Sequence, residues 1–195
     1  MLIPPITPFT LIAIDPGLNN IGIAIYTLQL NPFRILSIDA QTLKEDRVCE
    51  DSYYSEEGAT DRYSKRKRMV SALMKVIQAH PPAYFISESP FFDRRKPSSF
   101  AVLTEVLVDI QDSIRELDDR IHMSFISPQS AKKSLGVAGI KGKEIVREAL
   151  SQHTELIPVL RPVIDQLDEH AIDSVVVGYS FIETYFEEER KTDGR

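Results

Sequence analysis

The stretch running from Leu11 through Ile14, Asp15, Pro16, Gly17, Asn19, Asn20 and Gly22 to Tyr26 constrains this chain more than any other. Residues 11–14 form a short apolar run of the kind buried on both faces of a sheet. Residues 21–26 form a second such run. Pro16, Gly17, Asn19, Asn20 and Gly22 favour a tight turn joining them. Asp15 therefore stands at the carboxyl end of a buried strand, at the mouth of a sheet. No basic residue lies in the turn to pair with it. An unpaired buried charge is costly, and a bound cation is the natural compensation.

The 195 residues suffice for one domain, 1–195, with a sizeable core. The single cysteine, Cys49, excludes an internal disulfide and a cysteine-rich zinc site, and fits a reducing, cytoplasmic compartment. No apolar run has the length of a membrane span. Residues 1–8 read as an extended lead-in rather than a leader peptide. The net charge of −6 counts against a nucleic-acid protein. Its distribution counts the other way: acid collects at 45–61 and 187–189, base at 65–68, 94–96, 132–133 and 141–147. A local basic face binds phosphates whatever the global sum.

Further strands are expected at 34–38, 83–88 and 122–126, and helices at 61–80, 98–117, 143–153 and 168–188. Ser127 and Pro128 open another helix as N-cap and first residue. Residues 42–61 are polar, acidic and aperiodic and read as a long mobile loop. Residues 156–162 read as an irregular apolar link. The basic run at 65–68 reads as a solvated helix face. The apolar face of 98–117 is broadened by Val102 and Val108, enough to meet the sheet on one side and a second subunit on the other. Hairpins first and crossovers later indicate an α/β fold, a mixed sheet with helices on both faces.

Three further acids bear on Asp15. Glu88 ends its strand as Asp15 does. Asp173 follows His170 by three positions, on one face of the last helix, beside the apolar run 175–177 that must pack on the sheet. Asp168 and Glu169 suit a helix N-terminus. Clustered carboxylates repel unless hard divalent cations bridge them, and two such ions activate water for phosphodiester hydrolysis. His170 would suit manganese or act in proton transfer. Phe91 and Phe92, beside Arg94, Arg95 and Lys96, form a loop able to stack on a base while binding phosphate.

Four segments together resemble the RuvC family of Holliday junction resolvases, within the ribonuclease H-like fold. They are Ile14-Asp15-Pro16-Gly17 with Gly22; Tyr84 to Glu88 followed by Phe91; Ser127-Pro128 with Lys132, Lys133, Gly139 and Lys141 or Lys143; and Ala171-Ile172-Asp173-Ser174. The resemblance implies a five-stranded mixed sheet and a homodimeric endonuclease acting on four-way DNA junctions. It implies Mg²⁺ or Mn²⁺, two per site, held by Asp15, Glu88, Asp173 and the His170 position, and products with 5′-phosphate and 3′-hydroxyl ends. Lys132 or Lys133 would contact the scissile phosphate, with Phe91 at the junction centre. Lys141 and Lys143 depart from the family's usual glycine–lysine spacing, and the insert at 42–61 is more like phage-encoded or divergent members. A ribonuclease H-like or ribosomal-RNA-processing nuclease, a non-catalytic junction-binding module, and an ATP-binding lobe of the actin or sugar-kinase type are the alternatives.

Overall fold

A computed structural model describes residues 8–30, 32–48, 62–92, 94–95, 97–139 and 142–186. Lys96, Lys141, the side chain of Lys143, Cys49, the lead-in at 1–7, the acidic run at 187–189 and residues 49–61 of the expected loop lie outside the described residues.

The strands are β1 (Phe9–Asp15), β2 (Asn20–Gln29), β3 (Arg34–Lys44), β4 (Tyr84–Glu88), β5 (Met123–Ile126) and β6 (Leu160–Arg161). The helices are α1 (Glu45–Val48), α2 (Arg62–Ala79), α3 (Pro97–Leu117), α4 (Pro128–Ser134), α5 (Lys143–Ser151) and α6 (Glu169–Tyr185). The sheet order is β5-β4-β1-β2-β3-β6. β1–β2–β3 is an antiparallel meander, while β4 joins β1, β5 joins β4 and β6 joins β3 in parallel. The sheet is mixed with helices on both faces, as expected, but has six strands rather than five. The sixth is two residues long, too short to carry an apolar pattern.

β1 shows why the sheet is covered twice. Leu11 and Ala13 face one core, with Val175 and Ile182 of α6. Ile12 and Ile14 face the other, with Met69, Leu73 and Ile77 of α2 and Val106, Ile110 and Ile114 of α3. All four strand residues are fully buried. Each large aliphatic side chain so placed contributes about 1.5–3 kcal/mol. α6 is the central element: Ala171, Val175 and Gly178 lie on the sheet, and the Tyr26 hydroxyl donates to the Val175 carbonyl. Among the described residues, no helix is long and apolar enough to cross a membrane.

Three expectations are corrected. β3 runs on to Lys44, paired with β2 down to Asn20↔Lys44, and α1 follows it, so residues 42–44 are strand and 45–48 helix, not loop. Residues 156–162 contain a 3₁₀ turn and β6, not only irregular chain. The basic run on α2 is not a solvated face. Arg66 binds Asp109 and Glu105, Lys67 reaches Asp109 at 3.2 Å, and the buried Arg68 donates to Glu45 at 2.7 Å. These charges tie α2 to α3 and to α1. On α3, Val108 is exposed and Val102 half-buried, while Leu117 lies about 180° around the helix from Val108, on the stripe of Val106 and Ile110.

Candidate active site

The parallel pairing of β1 with β4 ends at Ile14↔Ser87, so Asp15 and Glu88 emerge next to one another at adjacent strand ends. By strand alternation both point to the face that α6 covers. The start of α6 is fixed above them. Asp168 is its N-cap and accepts from Ala171 N at 3.2 Å; the Thr42 hydroxyl donates to the same carboxylate, and Lys44 pairs with it at 3.1 Å. Burial would raise the Asp168 pKa, but these bonds outweigh it and hold the carboxyl below its usual value. Arg147 straps the preceding segment by donating to the Ile164 and Leu167 carbonyls, both at 2.7 Å.

One close approach sets how low the helix sits. A Cβ on Gly22 would lie 1.9 Å from the His170 carbonyl oxygen. Gly22 is the register partner of Asp15. The first turn of α6 therefore rests directly on the strand beside the first carboxylate. Gly22 is a β2 residue needed for this contact, not a turn residue. The turn is made tight by Gly17, where a Cβ would meet the Asn20 carbonyl oxygen at 2.3 Å.

The result is a cluster of Asp15, Glu88, His170 and Asp173. His170 Nδ1 lies 2.8 Å from Asp15 Oδ2, and Asn20 Nδ2 lies 3.3 Å from His170 Nε2. With the Asn20 amide as donor, Nε2 accepts and the ring proton sits on Nδ1, facing Asp15. Both ring nitrogens are thus engaged, and ligation of a cation by His170 requires one of these contacts to be exchanged. The Asp15 hydrogen bond raises the His170 pKa, against the burial that lowers it. Burial, then the charges of Asp15 and Asp173, push Glu88 up to about 8. Burial, then Asp15, push Asp173 up to about 6. Lys132 moderates both.

Lys132 and Lys133 are thereby separated. Ser127 Oγ caps α4 by accepting from Ser130 N at 3.0 Å, with Pro128 in the first turn. This orientation brings half-buried Lys132 to the carboxylates and leaves Lys133 exposed. Phe91 is 70% exposed. Phe92, also exposed, sets its ring edge-on against Phe100 at 5.5 Å between centroids. Arg94 and Arg95 are exposed on the same loop.

Among the described residues, no three His, Cys, Asp or Glu side chains converge into a ready cation cage. The donor chemistry nonetheless suits a hard cation. Asp15 and Asp173 are close enough to disfavour ionisation of Glu88, Asp15 that of Asp173, and Lys132 opposes the effect at both. Asn20, Gly22, Thr42 and Lys44 are the participants that local sequence reading did not assign to the site.

The sequence matches no protein-family model and no curated protein sequence. Solved structures do match. Thermus thermophilus RuvC is 14% identical, with a TM-score of 0.62 over 92% of this chain and 97% of that one. The yeast mitochondrial Holliday junction resolvase Ydc2 is 11% identical, with a TM-score of 0.62 over 97% of this chain and 85% of its own. Fowlpox virus resolvase, solved in a complex with Holliday junction DNA, is 12% identical, with a TM-score of 0.55 over 90% and 97%. The chain thus has a ribonuclease H-like fold. Within it, the architecture is similar to that of these three resolvases, matched over 90–97% of this chain.

Proposed function

We propose that the protein is a metal-dependent endonuclease that resolves four-way DNA junctions by paired nicks. The observation that carries this reading is the meeting of Asp15, Glu88 and Asp173 with Lys132 at the strand ends of a RuvC-like fold. Mg²⁺ or Mn²⁺ held by the three carboxylates would activate water and stabilise charge on the phosphate oxygens. Lys132 places a positive charge beside Glu88 and Asp173, where a scissile phosphate would sit. Asp15 orients His170, which holds a proton on Nδ1 at the edge of the site. Asn20 keeps that ring from rotating.

Asp15→Asn should lower nicking of a synthetic junction by about a thousandfold, the loss of several kcal/mol of charge stabilisation. Binding should stay within about twofold, because affinity rests on phosphate contacts. Gel-shift and nicking assays on the same preparation check both, with flap, duplex and RNA–DNA hybrid substrates beside the junction. Normal nicking by Asp15→Asn removes the site assignment. Preference for the hybrid moves the substrate to the ribonuclease H type.

Phe91 is the exposed aromatic free to stack at a junction centre, Phe92 being held against Phe100. Base stacking of this kind is worth roughly 1–3 kcal/mol. Phe91→Ala should slow resolution about tenfold without lowering the melting temperature, and a pre-opened crossover should relieve the defect. Fluorescence of a base analogue at the crossover reads it directly. An unchanged signal in Phe91→Ala disproves the stacking role.

Two copies are expected to associate through the outer side of α3 that carries Val108, giving one active site for each cleaved strand. Sedimentation of the wild type at micromolar concentration should show a dimer. Monomers that still make paired cuts would refute the arrangement.

A further inference from the structure

The most basic run in the sequence faces acids, so the uncompensated charge lies elsewhere. Arg62, Lys65, Arg66, Lys67 and Arg68 all pair with Glu45, Glu105 or Asp109. Arg47, at the end of α1, and Lys75, on the second half of α2, have no ion-pair partner among the described residues. Both line one pocket with Lys44, and no acidic side chain among the described residues lines it. Arg47 also lines a groove of about 870 Å³ with Lys44 and Arg161. Among the described residues, Arg161 hydrogen-bonds only the Pro158 and Leu160 carbonyls, so its charge is not neutralised there. Two acids line this larger groove: Asp168, paired with Lys44, and Asp39.

The groove has a definite place in the fold. β6 pairs with β3 only at Ile38 and Asp39, so the outer edge of β3 from Ala40 to Lys44 is uncovered among the described residues. The groove wraps this edge. It also joins the active site: Lys44 and Asp168 line both it and the cavity that holds Asn20, His170 and Asp173. A lysine on a free strand edge commonly guards against edge-to-edge pairing, which would account for Lys44. It does not account for Arg47 and Lys75, which are on helices.

We infer that this groove and the pocket adjoining it at Lys44 and Arg47 form a track for the sugar-phosphate backbone of one duplex arm, leading away from the cleavage site, with Arg47 and Arg161 in the groove and Lys75 in the pocket as its phosphate contacts. The inference rests on DNA being the substrate. Its continuity with the active site and its exposed cations, brought together from α1, α2 and β6, favour nucleic acid over an acidic polypeptide. Such contacts position an arm and carry no base information.

The test is junction binding by wild type and by Arg47→Ala/Lys75→Ala across a salt series, in an Asp15→Asn background that prevents cutting. Both side chains are exposed, so the double variant should fold normally. The expected result is a Kd about tenfold higher, with a salt slope shallower by about 0.9 for each phosphate no longer neutralised. The defect should vanish on short-armed junctions and with the charge-preserving Arg47→Lys/Lys75→Arg. In the cleaving protein, Arg47→Ala/Lys75→Ala should raise the half-saturating DNA concentration and leave the nicking rate at saturation unchanged. If wild type binds junctions and the double variant binds equally well, the track is wrong and an acidic polypeptide becomes the better occupant. If wild type binds no DNA, the functional reading itself fails. A defect that is equal on short and long arms also overturns the track.

Discussion

Glu88→Gln should make the metal-free protein more stable and catalytically inert. Glu88 is pushed from 4.5 up to about 8 by burial and by Asp15 and Asp173. A carboxyl whose pKa is raised on folding binds its proton more tightly in the native state. Its favourable form is fully present below 4.5 and is lost as pH rises towards about 8. Asp173 adds a smaller loss of the same sign between 3.8 and about 6. The wild-type protein without metal should therefore melt at a lower temperature at pH 8 than at pH 5. Gln carries no charge, so the variant should be flatter with pH. At pH 7 it should be more stable by on the order of 3 kcal/mol, from the conversion of about 1.4 kcal/mol per pKa unit between 4.5 and pH 7. Divalent cation should reverse the order, stabilising wild type through binding to the native state and stabilising the variant much less. Nicking should fall about a thousandfold. Calorimetry at pH 5, 7 and 8, with and without Mg²⁺, checks the stability order, and a nicking assay checks the rate. A wild type whose melting temperature rises from pH 5 to pH 8 without metal contradicts the placement of the three carboxylates.

What was legible in the sequence follows the same physics. Asp15, Glu88 and Asp173 stood out because each interrupts or ends an apolar segment where a lone charge is costly. The N-cap Ser127 and the long strands and helices were readable from periodicity. The end of β3 was not. Its inward residues after Ile38 are Ala40 and Thr42, too small or too polar to give an alternating signal beside Asp39 and Gln41. The segment thus looked like loop, and with it the support that Thr42 and Lys44 give Asp168 went unseen. The pairing of Arg66 with Asp109 was also hidden, because the two lie on different helices and no local spacing links them. The choice between Lys132 and Lys133 needed the orientation of α4, which is set by packing on α6.

Gly22→Ala should be the most damaging added methyl among the described glycines. The added carbon would lie 1.9 Å from the His170 carbonyl oxygen, 2.4 Å from its carbon and 3.2 Å from Ala171 N. These are backbone atoms at the first turn of α6, so no side chain can rotate aside. Relief requires either β2 to bow or α6 to lift. The helix is held along its length: Ala171, Ile172 and the residues from Ser174 to Ile182 are buried, and Gly178 already lies against Tyr26, where a Cβ would approach Cε2 at 2.4 Å. Lifting one end strains that interface, at about 1–3 kcal/mol for overpacking of this kind. It also moves His170 and Asp173 relative to Asp15 and Glu88, on the other side of the same contact. A displacement of about 1 Å in a catalytic group costs up to 10²-fold in rate. Gly22→Ala should therefore lower the melting temperature and cut nicking about a hundredfold, with junction binding largely kept. Gly139→Ala is the control. That glycine has φ of 77° with nothing within 4 Å of an added Cβ, so its cost is backbone strain alone, about 1 kcal/mol, with little effect on nicking. If Gly22→Ala and Gly139→Ala nick equally fast, α6 does not rest on β2 at this point. The positions of His170 and Asp173 over Asp15 would then need another support.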